Sequence, residues 1–275
     1  MVRIITDSSA DLPKEFINKY NISVVPLTIT LDGKEYLENV DITSEEFFKK
    51  MFSSNELPKT SQPSPAKFGE VFKKLSGDEE MICLTISSGL SGSYQSACIG
   101  KEISGTCVRV FDTLAGSLGH GLQVIKAAEL AAQGIPADKI IEKLKECRKN
   151  MNILILLNTL ENIVKGGRLS KFKGSIAKIF DIKVLLEGVN GKVVELENTR
   201  GKKAFLKRVL DVIGERRNKF DETIFGITHT GNFEDAEFLK SQIIERFAPK
   251  DVIINYMGAT MGTYAGKDGM IISFY

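Results

Sequence analysis

Short β-branched runs that alternate with helix-spaced segments constrain this chain more than any other feature. VRIITD (2–7), ISVVPLTITL (22–31), ICLTI (82–86) and TCVRVFDT (106–113) read as strands. Between them, KEFINKY (14–20), TSEEFFKKMF (43–52), AKFGEVFKKL (66–75) and the segment Tyr94–Ile103 carry helical spacing. Thr43, with Glu46 three residues later, forms a capping-box signature. Two further helices are expected over 116–133 and 137–149, and PKTSQPSP (58–65) reads as a proline-stiffened loop. This βαβα rhythm predicts a mainly parallel sheet flanked by helices. In such sheets ligands bind beyond the carboxyl ends of the strands. The polar loops after Asp7, Ile86 and Phe111 fall at such ends.

The pattern changes near residue 150. NILILLNTL (152–160) reads as a buried strand, and KVLLEGVNGKVVELE (183–197) places two apolar-rich runs around Asn190-Gly191, a preferred type I′ hairpin turn. KKAFLKRVLDVIGERR (202–217) and FEDAEFLKSQIIERF (233–247) read as helices; ETIFGITHT (222–230), DVIINYMG (251–258) and GMIISFY (269–275) read as strands. The fold class expected is α/β in two domains. Residues 1–150 form an N-terminal domain with a mainly parallel sheet, and 151–275 form a C-terminal domain with a mixed sheet and a β-hairpin.

Charge and composition exclude several function classes. Lys plus Arg (37) nearly balances Asp plus Glu (35), so the chain lacks the basic excess of a nucleic-acid binder. No apolar run approaches the roughly 20 residues of a membrane span. MVRIITDSS runs straight into a strand with no signal-peptide pattern, which predicts a cytoplasmic protein. Cys83, Cys98, Cys107 and Cys147 form no CxxC pair, and the two histidines, His120 and His229, form no HExxH, so no metal site is expected.

The segment SSGLSGS (87–93) follows a buried strand and opens a helix. Backbone N–H groups and hydroxyls at a helix start attract anions. Neither a Walker loop nor GxGxxG is present, and the segment has no lysine for terminal phosphates. Nucleotide cofactors are therefore not expected. Gly89-Leu90-Ser91-Gly92-Ser93 approaches the GxSxG nucleophile elbow, but Ser93 stands where the last glycine belongs. A serine esterase using Ser91 and His229 is the enzymatic alternative. Neutral donors without a base suit the binding of a carboxylate better. Simple helix capping by Ser91 is the bland alternative.

TDSSADLP (6–13), TSQPSP (60–65), ISSGLSGSYQSA (86–97), GGRLS (166–170) and GATMGTYAG (258–266) occur in the order found in the DegV family of bacterial fatty-acid-binding proteins, which the whole chain resembles. The resemblance implies a non-enzymatic carrier that holds one long-chain fatty acid, such as palmitate or oleate, between its domains. It implies Thr60 and Ser91 as carboxylate ligands, with Ser61 assisting. The implied partners are a fatty acid kinase, which phosphorylates the bound acyl group, and an acyltransferase that consumes the acyl phosphate. Arg168 of GGRLS would meet the head group or the partner. Lys165, Lys171 and Lys173 lie beside it, and TRGKKAFLKR (199–208) would widen that basic patch. Tyr264 stands where relatives often carry histidine. Asp7 and Ser8 read as a strand-end turn and cap rather than as ligands.

Overall fold

A computed structural model describes residues 2–54, 56–77, 79–169 and 182–275. In the first half, strands β1 (Arg3–Asp7), β2 (Ser23–Val25), β6 (Met81–Thr85) and β7 (Val108–Asp112) form a parallel sheet in the order β2-β1-β6-β7. A smaller antiparallel sheet joins β3 (Thr28–Leu31) to β4 (Lys34–Leu37) and β5 (Lys59–Ser61). In the second half, β8 (Asn152–Leu157), β9 (Ile182–Val189), β10 (Lys192–Arg200), β11 (Ile224–His229), β12 (Asp251–Tyr256) and β13 (Met270–Phe274) form a mixed sheet in the order β10-β9-β8-β13-β11-β12. The α/β class with a parallel sheet and a separate mixed sheet is as the sequence implies.

Helices α1 (Lys14–Lys19), α2 (Ser44–Ser53), α3 (Pro65–Leu75), α4 (Ser93–Ser104), α5 (Ser117–Ala132) and α6 (Ala137–Asn150) belong to the first half. Helices α7 (Glu161–Lys165), α8 (Lys202–Arg216), α9 (Phe233–Phe247) and α10 (Ala259–Ala265) belong to the second. Among the described residues, no helix is long and apolar enough to cross a membrane. The α2 capping box forms as the sequence implies: the Thr43 hydroxyl accepts the Glu46 N–H and Glu46 accepts the Thr43 N–H. The β9–β10 turn holds Asn190 at φ 49° and Gly191 at φ 76°, the signs a type I′ turn needs.

Helix α5 ties the two large sheets together. It is buried nearly all round, as a helix packed on both sides must be. One side lies on β1 and β6 and the other on β11 and β13. Its close approach requires glycine: a Cβ on Gly121 would stand 2.5 Å from the Ala10 carbonyl oxygen.

Two local expectations are corrected. ISVVPLTITL is not one strand. It breaks at Pro26, which has no N–H to give a ladder, so β2 joins the parallel sheet while β3 leaves for the small one. PKTSQPSP is not all loop, because Thr60 pairs with Ile29 across β3–β5. That pairing fixes which way Thr60 points.

Candidate functional site

Both halves contribute walls to a mostly apolar cavity of about 650 Å³, counted out to its mouth. Leu27, Ile86 and Leu90 face Ile155, Leu157 and Ile271 from β8 and β13, Val193 from β10, and Ile163 from α7. Thr260, Met261, Tyr264 and Ala265 of α10 complete the wall. The polar lining among the described residues is Thr60, Gln62, Ser91, Arg168, Thr260 and Tyr264, and none of these is a carboxylate.

Each polar residue has a local reason for its position. Successive side chains of a strand point to opposite faces. Half-buried Thr60 therefore turns inward, while Ser61 is exposed on the other face and does not line the cavity. Ser61 is thus not in position to assist Thr60 as a carboxylate ligand. The Thr60 hydroxyl lies 2.5 Å from the Tyr264 phenol, and either can donate.

The four serines of the 87–93 loop divide by use. Ser87 donates to the Gly191 carbonyl at 2.6 Å and so clasps the β9–β10 turn. Ser88 donates to Asp112 at 2.5 Å. Ser91 and buried Ser93 pair with each other at 3.0 Å, and only Ser91 lines the cavity. Its oxygen also accepts the Ser93 N–H at 3.3 Å. Ser91 therefore supports the start of α4 without standing at its N-cap, which is Gly92.

Arg168 follows a turn that needs both preceding glycines. Gly167 has φ +71°, and a side chain on Gly166 would collide with the Tyr264 ring. The guanidinium carbon lies 4.8 Å from the centre of that ring. Its nitrogens donate to the Gly166 carbonyl at 2.6 Å and the Leu90 carbonyl at 3.4 Å. No ion pair to Arg168 forms among the described residues. Thr60, Tyr264, Arg168 and Ser91 thus meet at one cavity although they are far apart in the chain.

Part of the basic patch is paired locally. Lys165 pairs with Glu161, Lys202 with Asp235, and Arg208 with Glu197 and Glu215. Lys171 and Lys173 lie outside the described residues.

The hydrolytic alternative has no geometry. Ser91 hydrogen-bonds Ser93 rather than a histidine, and His229 lines a different cavity. His120 is fully buried, with Nε2 2.8 Å from the Thr6 hydroxyl. Burial pushes both histidines below their ordinary pKa. Among the described residues, no group of three or more His, Cys, Asp or Glu is placed to hold a metal ion.

Sequence reasoning missed Gln62, Thr260 and the acids behind them. Asp7 accepts the Ser9 and Ile86 N–H groups, which makes it the expected turn residue. Ser8, by contrast, donates to buried Glu38 at 2.5 Å. Glu38 also accepts the Thr260 N–H and hydroxyl, each at 2.6 Å. Buried Asp11 accepts the Ser117 hydroxyl at 2.6 Å and the Gly258 N–H at 2.9 Å. These acids anchor the start of α10, which carries four of the residues lining the cavity. Only the TDSSADLP run pointed toward this cluster.

A family model described as an uncharacterised protein of the DegV family matches residues 1–275. The DegV domain-containing protein of Caldanaerobacter subterraneus subsp. tengcongensis is 32% identical over 275 residues, covering 99% of this chain and 98% of the relative. A fatty-acid-binding DegV family protein from Thermus thermophilus superposes with a TM-score of 0.93 at 26% identity, covering 100% of this chain and 99% of that one. The fatty-acid-binding DegV family protein SAG1342 from Streptococcus agalactiae gives 0.89 at 29% identity, covering 100% and 98%. With its full length matched, the chain belongs to the DegV family.

Proposed function

We propose that this chain is a non-enzymatic carrier that binds one long-chain fatty acid in the cavity between its 1–150 and 151–275 halves. The observation that carries this reading is an apolar cavity whose polar lining is hydroxyls, an amide and one arginine without an acid partner among the described residues. Thr60, Ser91 and Tyr264 would donate to the carboxylate, and Arg168 would balance its charge. Charge-assisted hydrogen bonds of this kind are about twice as strong as neutral ones. Burying about 15 methylenes at about 0.8 kcal/mol each supplies about 12 kcal/mol before immobilisation costs. The tail thus gives affinity and the polar end gives orientation. The Thermus thermophilus and Streptococcus agalactiae proteins, described as fatty-acid-binding, support the same ligand class here.

We further propose that the bound carboxyl group is presented to a separate ATP-dependent fatty acid kinase, and that the acyl phosphate passes to an acyltransferase of phospholipid synthesis. Arg168 at the cavity is suited to the head group before and after phosphorylation. Denaturing extraction of the purified protein followed by mass spectrometry tests the core of the reading. About one fatty acid per chain is expected. Absence of lipid, together with no thermal stabilisation by added palmitate or oleate, would overturn it.

A further inference from the structure

A second cleft lies across α10 from the lipid cavity, and it is lined by rings. Phe52 and Phe48 of α2 stack with centroids 5.5 Å apart. Phe48 lies 5.6 Å from Tyr256, Tyr256 lies 5.1 Å from His229, and His229 lies 5.8 Å from Phe233. Five rings therefore run in unbroken contact along a cleft of about 1060 Å³, counted out to its mouth. Its two outer members are exposed, Phe52 by 42% and Phe233 by 56%. Phe48, at the back, occupies the space that a side chain on Gly262 would need.

The wall also holds an uncommitted polar group. His229 is almost wholly buried, and its Nδ1 is sealed from solvent with no hydrogen-bond partner. Burial keeps the ring neutral near pH 7. A sealed N–H without a partner is costly, so the proton belongs on Nε2, the ring nitrogen that is not sealed without a partner. At the rim, Glu45 and Lys49 stand one turn apart on α2 and cancel in charge, so the cleft favours no ionic ligand. Aromatic rings favour stacked or edge-on partners over aliphatic ones of equal size.

We infer that this cleft is a second ligand site, for a neutral planar aromatic compound whose carbonyl accepts a hydrogen bond from His229. The ring would lie between Phe52 and Phe233 against Tyr256.

With only two histidines in the chain, imidazole NMR reports the site directly. The probe is 2-naphthamide, with cyclohexanecarboxamide as the aliphatic control, added to the full-length protein. Saturable movement of the His229 ring nitrogens is expected with naphthamide, while fully buried His120 stays in place. The control amide should move His229 far less. Phe52→Ala with Phe233→Ala removes two exposed rings and should weaken naphthamide about tenfold without changing the His120 signals. Ser91→Ala should leave naphthamide affinity unchanged. A His229 signal that stays still, that responds equally to both amides, or that is unaffected by loss of the two phenylalanines would overturn the proposal. So would loss of binding in Ser91→Ala, which would put the probe in the lipid cavity.

Discussion

Two hydroxyl-lined nests meet on α10, and they differ in whether a carboxylate already fills them. In the sealed nest, Glu38 takes the Ser8 and Thr260 hydroxyls and the Thr260 N–H, while Asp11 takes the Ser117 hydroxyl and the Gly258 N–H. In the open nest, among the described residues, the Thr60 and Tyr264 hydroxyls hydrogen-bond only each other, and the Ser91 hydroxyl meets only Ser93. Both nests offer Ser and Thr hydroxyls, to which the open one adds the Tyr264 phenol and the Arg168 guanidinium. The first nest uses the protein's own acids to hold the helix; the second has no acid among the described residues and opens on an apolar cavity. Glu38 is therefore an internal picture of how these side-chain types grip a carboxylate, and it shows what the open nest lacks.

Removing the acid from the sealed nest should have the largest effect. Glu38→Ala leaves buried donors on Ser8 and Thr260 unpaired and should lower stability by about 3 kcal/mol in urea unfolding. A loss below about 1 kcal/mol would mean that Glu38 does not anchor α10. Removing the cation from the open nest comes next. Arg168→Ala should weaken palmitate binding by about 30-fold while changing unfolding little. Arg168→Lys should not restore it, because an ammonium lacks the planar fork that sits on Tyr264. Thr60→Ala and Ser91→Ala should each weaken palmitate by about tenfold, read by isothermal titration.

The acids also give the nests different responses to pH. Burial holds Glu38 and Asp11 above their ordinary values; for Asp11 the Glu38 charge adds to this, and for both the Asp7 charge adds more. Carboxyls raised by folding contribute stability that is full below the unfolded values, ordinarily 3.8 for Asp and 4.5 for Glu, and is lost as pH rises through the folded values. The two buried histidines act in the opposite sense, losing their contribution as pH falls below 6.5. The comparison is therefore between the wild type and Glu38→Gln. On lowering pH from 7 toward 5, the wild type should gain thermal stability relative to the variant; a constant difference would remove Glu38 from this role. The smallest effect belongs to Ser61→Ala. Facing away from the cavity, it should change palmitate affinity by less than about twofold.

Local signals in the sequence carried most of the elements. The Thr43–Glu46 box and the Asn190-Gly191 turn act within a few residues, and both form as their chemistry dictates. Pro26 also acts locally, yet its consequence is long-range, since the break sends β3 to a different sheet and turns Thr60 inward. The motif resemblance named Thr60, Ser91, Arg168 and Tyr264, but not why they meet. That depends on Gly166 admitting the Tyr264 ring and on Glu38 holding α10 across a sequence separation of 222 residues. Neither contact leaves a spacing to read. Ser61 shows the reverse case: adjacency in sequence puts it on the opposite face of the same strand.

Palmitate labelled with ¹³C at its carboxyl carbon tests most directly whether the open nest takes a ligand's carboxylate as the sealed one takes Glu38. One saturable bound resonance is expected at one equivalent, and it should move in Thr60→Ala, in Ser91→Ala and in Arg168→Ala. A bound resonance identical in all three variants would place the carboxylate elsewhere and contradict the account.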